Sequence, residues 1–150
     1  MPKNDFSRFL TSSIRVRVPF FDLDPAGVAW HGRYFQYFEL ARCELLDSVG
    51  YGYEEMMSSG VLWPVVDTSV RYLQPLTLNQ EVTVVACLKE WEMRIGIDYK
   101  IQNSAGSTCT RARTVQVPVD GRTYELILGS PAHFVENVRQ KMKEAQLIPE

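Results

Sequence analysis

From Ser13 to Val18 polar and apolar residues alternate singly, Ser13-Ile14-Arg15-Val16-Arg17-Val18, and Pro19 interrupts the pattern. A period of two puts Ile14, Val16 and Val18 on one face of an extended chain, so the stretch predicts a half-buried strand. A proline has no N–H to give to a ladder and belongs near its end. From Tyr34 the period changes. Tyr34, Phe38, Ala41, Leu45 and Val49 recur at three- and four-residue steps, and Phe35, Tyr37, Leu40 and Leu46 widen the stripe until most of the circumference is apolar. This spacing predicts a helix from Tyr34 to Val49 that belongs in a core, with Gly50 as its C-terminal cap. A short helical turn follows over Tyr53 to Ser59, ended by Gly60.

Beyond Gly60 the period returns to two. Strands are expected over 61–73 with a break near Pro64, over 80–91, over 94–103 and over 107–119. Short polar turns such as Leu78-Asn79-Gln80 and Asn103-Ser104-Ala105-Gly106 join them, and Asp120-Gly121 is a hairpin-type turn. Four successive strands with no helix between them predict an antiparallel meander. Pro131 to Ala145, rich in Lys, Arg and Glu, predicts a surface helix. One very apolar helix and one sheet must bury each other, and the simplest solution is an α+β fold in which a curved antiparallel sheet of about five strands wraps round the helix. Trp91, Tyr99, Val85 and Val115 are the apolar strand positions expected to supply a subunit interface. Residues 1–13 read as a tail or a strap.

Composition narrows the class without naming a chemistry. The 150 residues, with 45% hydrophobic and 23% charged, have the size and balance of one globular domain with one core spanning 1–150. A formal charge of -2 offers no general attraction for nucleic acid or an anionic membrane. The longest apolar runs, such as Val61-Leu62-Trp63-Pro64-Val65-Val66, are too short for a bilayer span. No signal-peptide core follows Met1, so a cytoplasmic location is expected. Cys43, Cys87 and Cys109 are odd in number and widely spaced, which fits reduced thiols and neither a disulfide framework nor a CxxC metal site. His31 and His133, far apart, give zinc almost nothing to bind to.

The chemistry gathers in Val18-Pro19-Phe20-Phe21-Asp22-Leu23-Asp24-Pro25-Ala26-Gly27-Val28-Ala29-Trp30-His31, immediately before the long helix. A carboxylate held in a Pro/Gly turn just ahead of a helix N-terminus stands beside a ready anion site. Asp24 also has a plainer reading, as the side chain that closes its own turn. A lone His31 among aromatics is, taken alone, a structural residue.

These residues resemble the hotdog-fold acyl-CoA thioesterases, in particular the 4-hydroxybenzoyl-CoA thioesterase branch and related short-chain or aromatic acyl-CoA hydrolases. The likeness rests on Phe21-Asp22-Leu23-Asp24-Pro25-Ala26-Gly27-Val28-Ala29-Trp30, on Tyr34 and Phe38-Glu39-Leu40-Ala41-Arg42, and more weakly on Lys89-Glu90-Trp91, so it spans roughly 14–120. It implies the hotdog fold and the hydrolysis of an aromatic or short-chain acyl-CoA to the free acid and CoA, with no cofactor beyond the CoA of the substrate. By motif position Asp24 is the implied catalytic carboxylate, attacking the thioester carbonyl or activating a water that does. His31 is implied to offer its backbone N–H to the thioester oxygen and its imidazole to the leaving thiolate. Glu39 is implied to meet the acyl group, and Arg94, the one charge kept from a basic run after Lys89-Glu90-Trp91, to meet CoA phosphate. Arg71, Lys100, Arg111 and Arg113 are further basic candidates. Trp63, with Pro64, Val65 and Val66, is the expected apolar pocket.

The chain departs from the pattern at Phe20, where the histidine-bearing branch often has a tyrosine whose phenol would reach the carboxylate. The family also implies a homo-oligomer, dimer or tetramer, with the site at a subunit boundary. Other readings stand beside this one: a non-catalytic acyl-thioester-binding module on the same fold, a thioesterase acting on acyl carrier protein, and a hydratase or dehydratase. The last uses a shorter Asp-to-His interval than that between Asp24 and His31.

Overall fold

A computed structural model describes residues 5–148 of the chain; the beginning and end of the sequence, 1–4 and 149–150, lie outside the described residues, and with them the start of the segment read as a tail or strap. The elements in order are β1 (Thr11–Arg17), a 3-10 turn (Phe20–Asp22), a second (His31–Arg33), α1 (Tyr34–Ser48), α2 (Tyr53–Ser59), β2 (Val61–Leu62), β3 (Val65–Tyr72), β4 (Glu81–Glu90), β5 (Ile95–Gln102), β6 (Thr108–Gln116), β7 (Val119–Asp120) and α3 (Ala132–Glu144). The five long strands form one antiparallel sheet in the order β1-β4-β5-β6-β3, and β2 and β7 form a separate two-stranded ribbon.

The helix inside the sheet is the one the apolar spacing predicted. Tyr34, Tyr37, Phe38, Ala41, Leu45 and Leu46 are buried on α1, and the ring of Phe38 lies 4.9 Å from that of Tyr99 on β5. Val84 of β4 is opposite Ile14 of β1 on one side and Ile101 of β5 on the other, so their side chains share the face that the helix covers. Gly50, just past the helix, takes φ 71°, the left-handed conformation that ends helices and that glycine adopts without steric cost. α1 packs mainly across β1 and β4. Phe35 and Leu40, which the sequence pattern assigned to the apolar circumference, are 43% and 56% exposed because the sheet wraps only part of the helix.

The meander expectation holds for β4, β5 and β6 and fails for β3. β3 pairs with β6 at the far edge of the sheet, with Thr68 opposite Thr114 and Tyr72 opposite Thr110, and the chain then crosses back to lay β4 beside β1. Hydrogen bonds along the crossing explain its course: the Ala29 amide donates to the Leu76 carbonyl at 2.8 Å, and Val18 exchanges bonds with Gln80 and Asn79. The strand expected over 107–119 also breaks, at Val117-Pro118, and its last residues pair with β2 instead.

Tyr99 and Val115, proposed above for an interface, are only 1% and 5% exposed within the single chain. Of the sheet's two edge strands, β1 and β3, β3 is the more open, exposed along nearly its whole length. On α3, Phe134, Val138 and Met142 form one buried stripe, and Phe134 stacks against Tyr51 and Trp63. The N-terminal segment from Asp5 is a strap: the Lys89 ammonium sits 4.1 Å from the Phe9 ring centroid and donates to the Asp5 carbonyl at 2.9 Å. Among the described residues no helix is long and apolar enough to cross a membrane.

Leu45 is fully buried at the centre of this packing, so Leu45→Ala is expected to cost about 2–5 kcal/mol of unfolding free energy, read as a lowered denaturant midpoint. Cys43 is exposed while Cys87 and Cys109 are buried, and burial pushes the Cys87 thiol up to about 12. A thiol reagent at mildly alkaline pH is therefore expected to modify Cys43 alone in the folded protein and all three cysteines after denaturation, as counted by mass.

Candidate active site

Residues 22–30 form a small hairpin between the end of β1 and the start of the helix. The Trp30 amide donates to the Asp22 carbonyl at 2.8 Å, Leu23 bridges Ala29, and the Asp24 amide donates to the Val28 carbonyl at 2.9 Å. Gly27, at φ 79°, closes the tip, where an added Cβ would meet open space but the backbone conformation would be strained. The second leg runs straight into the 3-10 turn His31–Arg33 and from there into α1. Trp30 heads that turn with no side-chain cap, so its first amides receive no side-chain acceptor from the residue before them.

Asp24 and His31 come together in one open cleft of about 270 Å³, which Val28, Ala29 and Tyr34 also line from the hairpin side. The opposite wall is the end of β3 and the segment after it: Tyr72, Leu73, Gln74 and Pro75. The Tyr72 hydroxyl donates to the His31 carbonyl at 2.7 Å and the Tyr72 ring meets the Tyr34 ring edge-on at 4.8 Å. These contacts tie the edge strand to the peptide at which the helix begins. Burial raises the pKa of both phenols, which keeps them protonated and available as hydrogen-bond donors at neutral pH.

Asp24 is half-buried and one of its oxygens accepts the Ala26 amide at 2.8 Å. Its own turn thus orients the carboxylate. Phe20, where a phenol was missed, is 78% exposed. Asp22, two residues before Asp24, turns the other way: it is buried, accepts the Tyr37 hydroxyl, and lies 3.6 Å from the Arg33 guanidinium.

The other residues marked in the sequence lie elsewhere in the chain. Glu39 is exposed on α1, 3.8 Å from Arg42. Trp63 is buried between Tyr51 and Phe134 and donates its indole N–H to the Tyr51 hydroxyl at 2.9 Å. Arg94 is paired with Glu90 at 2.7 Å, and Glu90 in turn holds Arg113, which also reaches Asp98 at 3.0 Å. The first cause of the lowered Glu90 pKa is its bond to Arg94. Tyr72 to Pro75, by contrast, line the cleft with no mark in the sequence as site residues. Tyr72-Leu73-Gln74-Pro75 reads only as a strand end before a proline, and what makes it a cleft wall is the crossover that carries β3 to the far edge.

The family model of the thioesterase-like superfamily matches residues 18–145. A Bacillus subtilis protein provisionally named an acyl-CoA thioesterase is 27% identical over 117 residues, covering 77% of this chain and 85% of that one. Among solved structures, a DHNA-CoA thioesterase from Staphylococcus aureus superposes with a TM-score of 0.78 at 23% identity, over 91% of each chain. A mutant of 4-hydroxybenzoyl-CoA thioesterase complexed with 4-hydroxybenzoyl-CoA gives a TM-score of 0.75 at 19% identity, over 86% of this chain and 99% of that one. The fold is the hotdog fold of these enzymes, and the family match takes in the hairpin, the helix, the whole crossover and the last helix: the chain belongs to the thioesterase-like superfamily and is a thioester hydrolase.

Proposed function

We propose that the protein hydrolyses aromatic or short-chain acyl-CoA thioesters, with Asp24 as the catalytic carboxylate. The observation that carries this reading is the convergence of Asp24 and His31 on one cleft at the start of the helix. A thioester carbonyl is already electrophilic, so one oriented carboxylate and a few amide donors supply what the reaction needs. The carboxylate of Asp24 drives the attack on the carbonyl carbon, either by taking a proton from an attacking water or by attacking directly to form a mixed anhydride that a water then hydrolyses to the free acid. The carbonyl oxygen gains negative charge and is met by the amides opening the His31–Arg33 turn. The C–S bond then breaks and the CoA thiolate takes up a proton, a role for the exposed imidazole of His31 on the cleft wall.

The acyl group is the part of the substrate that the cleft addresses. Its lining is mostly apolar or aromatic, Val28, Ala29, Tyr34, Tyr72, Leu73 and Pro75, with a volume of about 270 Å³. The rings of Tyr34 and Tyr72 in that lining suit an aromatic or short apolar acyl group. With benzoyl, hydroxybenzoyl, short aliphatic and long aliphatic CoA thioesters assayed by thiol release, kcat/KM is expected to be highest for a ring or short chain. Asp24→Asn is expected to lower kcat on the best of them by about a hundredfold or more while leaving the thermal midpoint in place. A wild-type rate in Asp24→Asn removes Asp24 from the mechanism.

The working form is a homo-oligomer built on β3. Support comes from the exposed edge: Val65 and Val66 are 44% and 56% exposed, on a strand whose outer hydrogen-bonding side has no neighbour in the sheet order. An apolar, unpaired edge is what a second copy would cover. Val66→Lys is expected to shift the protein from dimer or larger to monomer in sedimentation and to lower activity together with size; a fully active monomer would refute the arrangement.

A further inference from the structure

Two aspartates stand in the hairpin, and only Asp24 lines the cleft. Asp22 is 3% exposed, the one charged side chain among the buried residues described. Taking a carboxylate out of water is unfavourable unless its partners compensate well. Here the compensation is thin. One oxygen accepts the Tyr37 hydroxyl; the other faces the Arg33 guanidinium at 3.6 Å and has no hydrogen-bond partner. An apolar residue of similar size would fill the space with less desolvation, so packing alone does not account for a carboxylate here.

What the carboxylate supplies is a link between two elements. Through its backbone, Asp22 is the base of the hairpin: its carbonyl accepts the Trp30 amide, one rung before the Leu23–Ala29 bridge and two before the bond from Asp24 to Val28. Through its side chain, it reaches Arg33 and Tyr37, on either side of the point where the 3-10 turn becomes α1. Tyr37 is itself 4% exposed and packed beside Tyr34 at 6.1 Å between ring centroids, so its hydroxyl is fixed by the core. Burial first, and then the bond to Asp22, raise the pKa of that phenol, which keeps it a donor. Rotation of the hairpin against the helix would have to break these contacts.

The geometry points to Asp22 as a positioning residue for the hydrolysis. By clamping the hairpin base to Tyr37 and Arg33, it holds the Asp24 carboxylate at a set distance from the amides that open the helix. The inference rests on the catalytic reading of Asp24 and deepens it. A displacement of about 1 Å in a reacting group is enough to cost about a hundredfold in rate, whereas substrate binding, made by the cleft walls, is largely spared.

The test uses the full chain and the best CoA thioester from the panel, with kcat and KM measured separately for Asp22→Asn, Tyr37→Phe, Asp24→Asn and the Asp22→Asn/Asp24→Asn pair. Asp22→Asn is expected to lower kcat by about tenfold to a hundredfold with KM within about twofold of wild type. Tyr37→Phe, which removes only the hydroxyl and keeps the ring, is expected to lower kcat in the same way by a smaller factor, and it serves where Asp22→Asn does not fold. In single-turnover assays the pair is expected to be no slower than Asp24→Asn alone, because Asp22 acts through Asp24. Wild-type kcat in both Asp22→Asn and Tyr37→Phe, with only the thermal midpoint lowered, overturns the positioning role while Asp24 stands. A further full loss in the pair also overturns it, since Asp22 would then act independently. A wild-type rate in Asp24→Asn instead overturns the catalytic reading on which the role depends.

Discussion

Burial of the aromatic start of α1 inside the curved sheet is the constraint from which the candidate site follows. Tyr34, Tyr37 and Phe38 are all buried within the first two turns, and Phe38 is pressed against Tyr99 in the middle of the sheet. A helix held this firmly at its N-terminal end cannot slide or roll without uncovering several large side chains, each worth about 1.5–3 kcal/mol of burial. Its opening amides are thereby fixed in space, and so is the chain that enters it. The hairpin before the helix is too short to wander: two backbone hydrogen bonds, from Trp30 to Asp22 and from Asp24 to Val28, flank the Leu23–Ala29 pair. Packing energy far from the cleft becomes orientation at the cleft.

The two aspartates of the hairpin divide that work by environment. They are two residues apart, Asp22 at the end of the 3-10 turn Phe20–Asp22 and Asp24 beyond it, and Asp22 is buried in the protein while Asp24 stands at the cleft wall. Asp24 takes one bond from its own turn at Ala26, leaving acceptor capacity on the carboxylate. Asp22 is engaged with a phenol and a guanidinium. A carboxylate that is oriented but not saturated suits chemistry; one that is enclosed suits holding things in place.

Local order was legible in the sequence to the extent that it came from period and punctuation. The helix from Tyr34, the short α2 ended by Gly60, the break at Pro64 and the strand spans rested on residues within a few positions of one another, as did the Asp24 turn. Asp24 and His31 reach the same cleft because the hairpin and helix start join them locally. Long-range partners were not legible. Nothing in the spacing of Val65–Tyr72 reveals that this strand crosses to β6, so Tyr72 and Pro75 could not be placed across from Asp24. Trp63 shows the same limit from the other side: its indole is taken up by Tyr51, a pairing that depends on how the chain turns back on itself, whereas Glu90, which takes up the charge of Arg94, stands only four residues before it. Tyr37 counted only as one more member of an apolar stripe, since periodicity does not distinguish a ring from a ring with a hydroxyl at its tip.

One strand carries two properties that are usually separate. β3 ends at Tyr72, whose hydroxyl holds the His31 carbonyl and whose ring forms part of the cleft. The same strand exposes its outer edge and the apolar Val65 and Val66. A strand that hydrogen-bonds on one side only is free to twist and fray, and its displacement would be transmitted to Tyr72 and from there to the peptide where the helix begins. Pairing of that edge with a second copy, as proposed above, would remove the freedom through a ladder of backbone bonds. Assembly and site order would then be one event: the protein would not need to spend core packing on β3, because the partner would supply it.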